Sequence, residues 1–335
     1  MNDRISKCSN SSIALLTVLS VMIFDAAAAA QSGARRPSIV DLHGALGVKG
    51  NRVVDKDGNP VVLRGMSLFW SQWMPQYYNA GALKWLRDDW HCTVIRVPMG
   101  VEAGGYLTHP DLERQKIKTV IQAAIDLGIY VIIDWHDDHS NLHVEQSKAF
   151  FDDIAKTYGQ YPNIIFEPWN EPGKAADWTT TIKPYHEAVI PVIRAHSNNL
   201  IICGTQAWSQ QVDKASQNPL RFGNVAYTLH FYASTHKQSL RDKATIALNN
   251  GCALFVTEWG TSEASGNGKL DAGETQKWLD FMDKNQLSWC NWSLADKAET
   301  SAALKPGAAG DGGWTLDMLS PSGQLVRAEL IKRNE

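Results

Sequence analysis

The chain has 335 residues, 44% of them hydrophobic and 20% charged, with a formal net charge of -3. A chain of this kind buries a large core, and its near-neutral balance without a Lys/Arg run leaves no electrostatic footprint for nucleic acid. Past the amino end no apolar stretch is long enough to span a bilayer, so a soluble protein acting on a neutral or small partner is expected.

At the amino end, Arg4 and Lys7 precede the apolar run 13–24, and small residues continue through Ala30. That layout is a secretory signal peptide with an A-x-A-like cleavage site. Residues 1–30 are therefore expected to be removed and the mature chain secreted, to the medium or the periplasm. Residues 31–44 read as an N-terminal tail and 45–335 as one catalytic domain. Cys8 leaves with the signal; Cys92, Cys203, Cys252 and Cys290 each sit in or beside an apolar run, as buried free thiols do. Export would also permit a Cys252–Cys290 disulfide.

Residues 47–60 carry an Asp57-Gly58 turn between short alternating segments, which predicts a hairpin. Compact apolar runs then recur at 61–69, 93–99, 130–135, 164–169, 200–204, 226–231, 253–259 and 288–294, giving eight candidate strands. Segments with helical spacing lie between most of them, at 117–127, 149–158, 185–195, 239–249 and 275–284. This order predicts an α/β fold, a (β/α)8 TIM barrel whose lower mouth the hairpin caps. A doubly wound open sheet is the alternative, weakened because no Gly-rich phosphate turn follows the first strand. No linker or low-complexity tail signals an appended module, and the chain is expected to act as a monomer.

Functional groups of a TIM barrel gather at the carboxyl ends of its strands. Here those ends carry Arg96, His136, Asn170 with Glu171, His230 with Tyr232, Glu258, and Trp292. Glu171 and Glu258 fall on the fourth and seventh strands, across the mouth from each other. Cleaving a glycosidic bond needs one carboxylic acid for the leaving oxygen and one carboxylate for the oxocarbenium-like centre; a gap of roughly 5 Å predicts retention. Glu258 is assigned a place beside Arg96 and the Tyr232 hydroxyl, both of which favour its ionised form. Glu171 is expected to face the charge of Glu258, which would hold its proton. The cluster His136-Asp-Asp-His139 with His143 offers a rival reading as a divalent-metal site. That reading leaves Asn170, Glu171 and Glu258 without a task, so neither metal nor cofactor is expected. A noncatalytic sugar-binding barrel is the other rival, and it needs neither glutamate. Glu167 reads as the buried partner of a neighbouring base and Glu263 as a loop residue.

Phe-Glu-Pro-Trp-Asn-Glu-Pro over 166–172 and Phe255-Val-Thr-Glu-Trp-Gly260 resemble the two glutamate-bearing strands of glycoside hydrolase family five, most closely its bacterial endoglucanase (cellulase) branch. The resemblance covers nearly all of the chain after the signal. It implies a TIM barrel that cuts inside β-1,4-glucan by retaining double displacement, with Glu171 as acid/base and Glu258 as nucleophile. It implies further that Arg96, His136, Asn170, His230, Tyr232 and Trp292 complete the active-site group. Trp208 and the Trp70/Trp73 pair are placed at flanking sugar sites, and Lys297 and Glu299, in Ala295-Asp-Lys-Ala-Glu299, among the hydroxyl-binding groups. Asn170 suits the sugar 2-hydroxyl, His136 and His230 the cleft floor, and Trp292 an apolar face for a sugar ring. Thirteen tryptophans fit a glucan cleft, although for any single one of Trp70, Trp73, Trp135, Trp169, Trp208, Trp259 and Trp292 burial under a helix is as good a reading as ligand contact. Two departures stand out: Met66-Ser-Leu-Phe-Trp-Ser-Gln-Trp73 lacks a His that many relatives carry there, and Pro168 would remove one ladder donor. Glucan, mannan, xylan and mixed-linkage glucan remain open as the backbone, since loop shape and a few hydroxyl contacts discriminate them.

Overall fold

The structure, a computed structural model, describes residues 37–335. The expected signal peptide and residues 31–36 of the tail lie outside the described residues. Eight parallel strands close into a barrel: β1 (Arg64–Leu68), β2 (Val94–Gly100), β3 (Tyr130–His136), β4 (Ile164–Glu167), β5 (Ile201–Cys203), β6 (Val225–Tyr232), β7 (Leu254–Gly260) and β8 (Ser288–Leu294). β8 pairs with both β7 and β1, which seals the ring. The helices that cross over outside are α1 (Ala80–Asp88), α2 (Pro110–Leu127), α3 (Val144–Tyr158), α4 (Lys183–Arg194), α5 (Val212–Gln217), α6 (Gln238–Asn249), α7 (Ala272–Lys284) and α8 (Pro321–Asn334). The predicted TIM barrel is thus the observed fold.

Period-2 alternation along each strand divides the core in two. Val94, Tyr130, Ile132, Ile165, Ile202, Ala226, Phe255 and Cys290 point into the lower barrel, where they meet Leu46 and Val53 of the N-terminal segment. Ile95, Val131, Ile133, Phe166, Tyr227 and Leu229 point outward and pack under the helices. Trp135, Trp169 and Trp259 share that outer layer and are fully buried, so the core reading holds for these three.

Helix limits follow local chemistry. α2 opens with Pro110 at its first position and Asp111 and Glu113 in its first turn, and Gly128 closes it at φ +67°. Its polar first turns are why the apolar periodicity alone begins only near residue 117.

The amino-terminal cap differs from expectation in one respect. The hairpin strands are Gly47–Lys49 and Arg52–Val54, so the chain reverses at Gly50-Asn51 and not at Asp57-Gly58. Asp57-Gly58 makes a second reversal that brings Pro60 back to bridge Val54. Within the expected tail, Ile39–His43 forms a short helix whose Ser38 and Asp41 cap one another. The cap is tied to the lower barrel by Tyr130 Oη to Gly44 O (2.6 Å), Asn51 Nδ2 to Leu248 O (2.9 Å) and Asn224 Nδ2 to Leu46 O (3.0 Å).

One further reading holds and one is corrected. Cys92, Cys203, Cys252 and Cys290 are all free and buried, as read from the sequence, and the Cys252–Cys290 disulfide that export would permit is not formed. Pro168 costs no ladder bond, because β4 ends at Glu167 and the Pro168 carbonyl instead accepts from Tyr185 Oη at 2.7 Å.

Gly65 on β1 has no room for a Cβ, which would strike the Val94 carbonyl of the paired strand. Gly65→Ala is expected to destabilise the barrel by about 3 kcal/mol or more, read as a lowered Tm, because backbone on backbone cannot yield as a side chain can.

Candidate active site

Above the apolar floor, the same alternation turns polar residues into the barrel. Arg96 on β2 is the centre of this layer and has no exposed surface. Its Nε donates to Glu167 Oε2 at 2.7 Å, Nη1 to Glu258 Oε2 at 2.9 Å and Nη2 to Asn170 Oδ1 at 2.5 Å, and Nη2 forms an ion pair with Asp134 Oδ2 at 2.9 Å. Burial by itself would lower the guanidinium pKa, but Asp134, Glu167 and Glu258 outweigh it and push it well above its ordinary value. Glu167 is enclosed, accepting also from Thr228 Oγ1 (3.2 Å) and Thr257 Oγ1 (2.6 Å), in line with its reading as a base's partner.

The contact with Arg96 settles which way the Asn170 amide lies. Its oxygen is taken by the guanidinium, so Nδ2 is the donor left for a ligand, 3.5 Å from His136 Nε2. His136 is held through Nδ1, 2.6 Å from Asp134 Oδ2, and burial and then Arg96 lower its pKa to about 3.

The two glutamates meet over this layer. A carboxylate oxygen of Glu171, one of Glu258 and a ring nitrogen of His230 all lie within 4.8 Å of one another. Glu258 accepts from Arg96 and from Tyr232 Oη at 2.8 Å, as expected from sequence. Glu171 sits 2.8 Å from His230 Nδ1. Its pKa is raised to about 8, first by burial and then by the charge of Asp138. The expectation that Glu258 holds this proton is therefore corrected: desolvation leads, and the foremost charge is Asp138, from the loop after β3.

Aromatic and polar groups line a cleft of about 480 Å³ beside the pair, among them Trp208, Gln210, His236, Ala264 and Ser265. Trp208 is 42% exposed. Ala207, Trp208 and Ser209 all have φ near +56°, a left-handed run that side-chain-bearing residues rarely adopt. It is pinned to the glutamate segment by Trp208 N to Pro172 O (2.9 Å) and Ser209 Oγ to Asn170 O (2.8 Å). Backbone strain of this kind, imposed by neighbouring hydrogen bonds, gathers at ligand-binding sites.

Elsewhere at the mouth, Trp70 and Trp73 stack with centroids 4.8 Å apart, and Trp70 meets the His136 ring edge-on at 4.2 Å. Trp73 is 51% exposed, whereas Trp292 is only 6% exposed, parallel to His136 and packed on Phe69. Lys297 and Glu299 pair with each other at 2.6 Å, with Lys297 Nζ 5.3 Å from the Phe69 ring centre. All the site residues read from the sequence thus gather at this end of the barrel.

The His/Asp cluster of the rival metal reading is divided. His136 turns into the barrel toward Asp134, while His139 and His143 face Glu102 and Asp137 at the rim. Donor atoms of Glu102, Asp137 and His139 come within 4.8 Å of one another, a spacing that would admit a cation.

Sequence reasoning missed Asp134, Thr257, Gln210 and His236, and read Asp138 only within the His136-Asp-Asp-His139 metal cluster. Asp134 had a signal, standing two residues before His136 on the same strand face. Gln210 and His236 lie on loops, where no periodicity points to them.

A closed parallel barrel with two carboxylates at this spacing on its fourth and seventh strands has the architecture of the barrel glycoside hydrolases. The family model for cellulase (glycosyl hydrolase family 5) matches residues 54–298, and the chain belongs to that family. It is 48% identical over 320 residues to an endoglucanase of Clostridium saccharobutylicum, covering 94% of this chain and 69% of that protein. It is 52% identical over 278 residues to endoglucanase A of Evansella cellulosilytica, covering 82% of this chain and 57% of the relative. Among solved structures, the catalytic domain of a Thermobifida fusca endoglucanase in complex with cellotetraose is 32% identical with a TM-score of 0.84, covering 87% of this chain and 99% of that one.

Replacing Arg96 by Met would leave Asp134, Glu167 and Glu258 buried without their cation. Arg96→Met is expected to cost about 3–5 kcal/mol in denaturant unfolding, the usual penalty for removing one partner of a buried ion pair.

Proposed function

We propose that this chain is a secreted endo-β-1,4-glucanase that works as a monomer and retains anomeric configuration, with Glu171 as acid/base and Glu258 as nucleophile. The observation that carries the reading is the pair of carboxylates within 4.8 Å of one another, each in a different environment. A gap near 5 Å suits attack by one carboxylate and leaves no room for a water between it and the sugar, which is the retaining arrangement. The cellotetraose complex of the Thermobifida fusca relative supports a β-glucan as the polymer.

The residues divide the reaction as follows. Asn170 Nδ2 and the His136 ring meet hydroxyls of the sugar at the scissile bond, while Trp208, Trp70 and Trp73 offer flat faces to neighbouring rings. Lys297 and Glu299 bind hydroxyls beyond Trp292. Glu171, protonated because burial disfavours its charge, gives its proton to the glycosidic oxygen. A Glu258 oxygen bonds to the anomeric carbon as the carbon–oxygen bond to the leaving chain breaks. Arg96 and Tyr232 hold the nucleophile in line. The ester neutralises Glu258, and Glu171, now ionised, takes a proton from a water that displaces the ester. No step requires a metal ion, and activity is expected to survive dialysis against EDTA.

The test is a panel of carboxymethyl cellulose, mannan, xylan and mixed-linkage glucan assayed for reducing ends, with proton NMR of the first product. A β-anomer from carboxymethyl cellulose, cut to mixed lengths, is expected; an α-anomer would overturn the retaining assignment. Glu258→Ala and Glu171→Ala should each lower kcat by about three orders of magnitude or more, a scale set by nucleophile and acid removal in general. The protonated form of Glu171 is the active acid, so kcat/KM is expected to fall as pH rises through about 8. Export is checked by finding the mature chain, shortened at its amino end, outside the cytoplasm.

A further inference from the structure

The turn that carries Trp70 and Trp73 is anchored from outside the barrel by charged groups that the reaction scheme leaves without a task. Between the two indoles stands Ser71, with no exposed surface. All of its polar groups are taken. Its N–H donates to Pro98 O at 3.1 Å and its hydroxyl oxygen accepts from Gly100 N at 3.1 Å, both at the end of β2. The hydroxyl donates to Glu113 Oε2, and the Ser71 carbonyl accepts from Lys116 Nζ at 3.0 Å. Glu113 and Lys116 lie on α2, outside the barrel, and form an ion pair of 2.6 Å.

Glu113 is 1% exposed, although its place in the first turn of α2 calls for no burial. Asp111 in the same turn has a side chain 98% exposed and meets the positive end of the helix equally well. Taking a carboxylate out of water is costly unless it is paired and hydrogen-bonded. The groups that offset the cost here are Lys116 and the hydroxyl of Ser71, so the buried carboxylate serves the turn after β1 more than the helix it stands on.

The turn needs such a hold. Trp73 N and Met74 N both donate to Trp70 O at 3.0 Å, which fixes the turn to itself and not to the barrel. Tyr78 Oη, 2.6 Å from Phe69 O, ties the chain just before it. Within the turn, Gln72 Nε2 reaches Glu102 O at 3.3 Å, whereas Ser71 is bonded at its amide, its hydroxyl and its carbonyl. Half-exposed Trp73 stacks on Trp70, and Trp70 meets His136 of the cleft floor. A shift at Ser71 therefore moves both flat faces.

We propose that Glu113 is a positioning residue: by holding Ser71 it sets the Trp70/Trp73 pair against the glucan and so governs how tightly the polymer binds, with no part in bond cleavage. The proposal rests on the reading of these two tryptophans as sugar-binding faces.

The test measures KM and kcat on cellohexaose. Ser71→Ala removes the hydroxyl and leaves the Glu113–Lys116 pair intact, so it reads the tether apart from the helix. KM is expected to rise about fivefold in Ser71→Ala and in Glu113→Ala, the scale of one aromatic contact, while kcat stays within about twofold. Glu113→Gln, whose side chain can still bond both Ser71 Oγ and Lys116 Nζ, should return KM to near its wild-type value.

A residue that merely steadies the fold would act whether or not the rings are present, and combined variants separate the two roles. In a Trp70→Ala/Trp73→Ala background, adding Ser71→Ala should change kcat/KM by less than about twofold, because the faces it positions are gone. The full fivefold loss repeated in that background overturns the proposal, as does an unmoved KM or a loss confined to kcat in Ser71→Ala. Should Glu113→Ala fail to fold, Ser71→Ala with and without the two tryptophans still decides. A Trp70→Ala/Trp73→Ala variant that weakens KM beside an unmoved Ser71→Ala defeats only the role of Glu113. If that tryptophan variant keeps the wild-type KM, the sugar-binding reading of the rings and this proposal fall together.

Discussion

A single guanidinium organises the interior of the upper barrel. Arg96 is fully buried and in contact with three carboxylates and one amide, drawn from β3, β4, β7 and the segment after β4. Four strands are thereby locked to one another by charge at the level where the apolar core ends. Taking such a cation out of water is costly unless every donor is used, and here Nε, Nη1 and Nη2 are all engaged. The geometry that results is also what the chemistry needs. Glu258 cannot swing, Asn170 cannot flip, and the substrate-facing edges of both are left free.

The floor and the walls of the cleft are built on different physics. The floor consists of strand residues with almost no exposed surface, whose positions are over-determined by hydrogen bonds. The walls are aromatic rings on loops: Trp73 half exposed, and Trp208 held over the cleft by a left-handed turn tied to the segment after β4. Chemistry at the bond requires the first kind of rigidity, because small displacements there are expensive in rate. Recognition of a repetitive polymer suits the second, where flat faces tolerate sliding of one sugar ring past another.

Much of this was legible in the sequence because the barrel obeys period 2. Alternation in 94–100 and 130–136 assigns the lower core, Arg96 and His136 to the same inner face without any structure. The strand count, the barrel and the ordered strand-end residues followed from that pattern, as did the contacts of Glu258 with Arg96 and Tyr232. Two kinds of feature escaped. Loop residues such as Asp138 have no period, so the charge that most raises the proton affinity of Glu171 was read only as part of the His136-Asp-Asp-His139 cluster. The hairpin turn was misplaced because both Gly50-Asn51 and Asp57-Gly58 are good reversals, and only pairing of Val53 with Val48 decides between them.

The second kind is a break in the period itself. β7 carries one residue more than either neighbour at the level of the glutamate: Phe255 and Glu258 align with Thr228 and His230, and Val256 and Trp259 align with Trp289 and Asn291. Three steps on β7 match two on both sides, so β7 is bulged there. A bulge re-aims side chains, and its effect here is to let consecutive residues, Thr257 and Glu258, both face inward. Strict alternation from the inward Phe255 would have sent Glu258 to the helix side. The extra residue puts a hydroxyl behind His230 and a carboxylate at the cleft at the same height of the barrel. One irregularity in one strand thereby reaches both glutamates, Glu258 by position and Glu171 through the histidine between them.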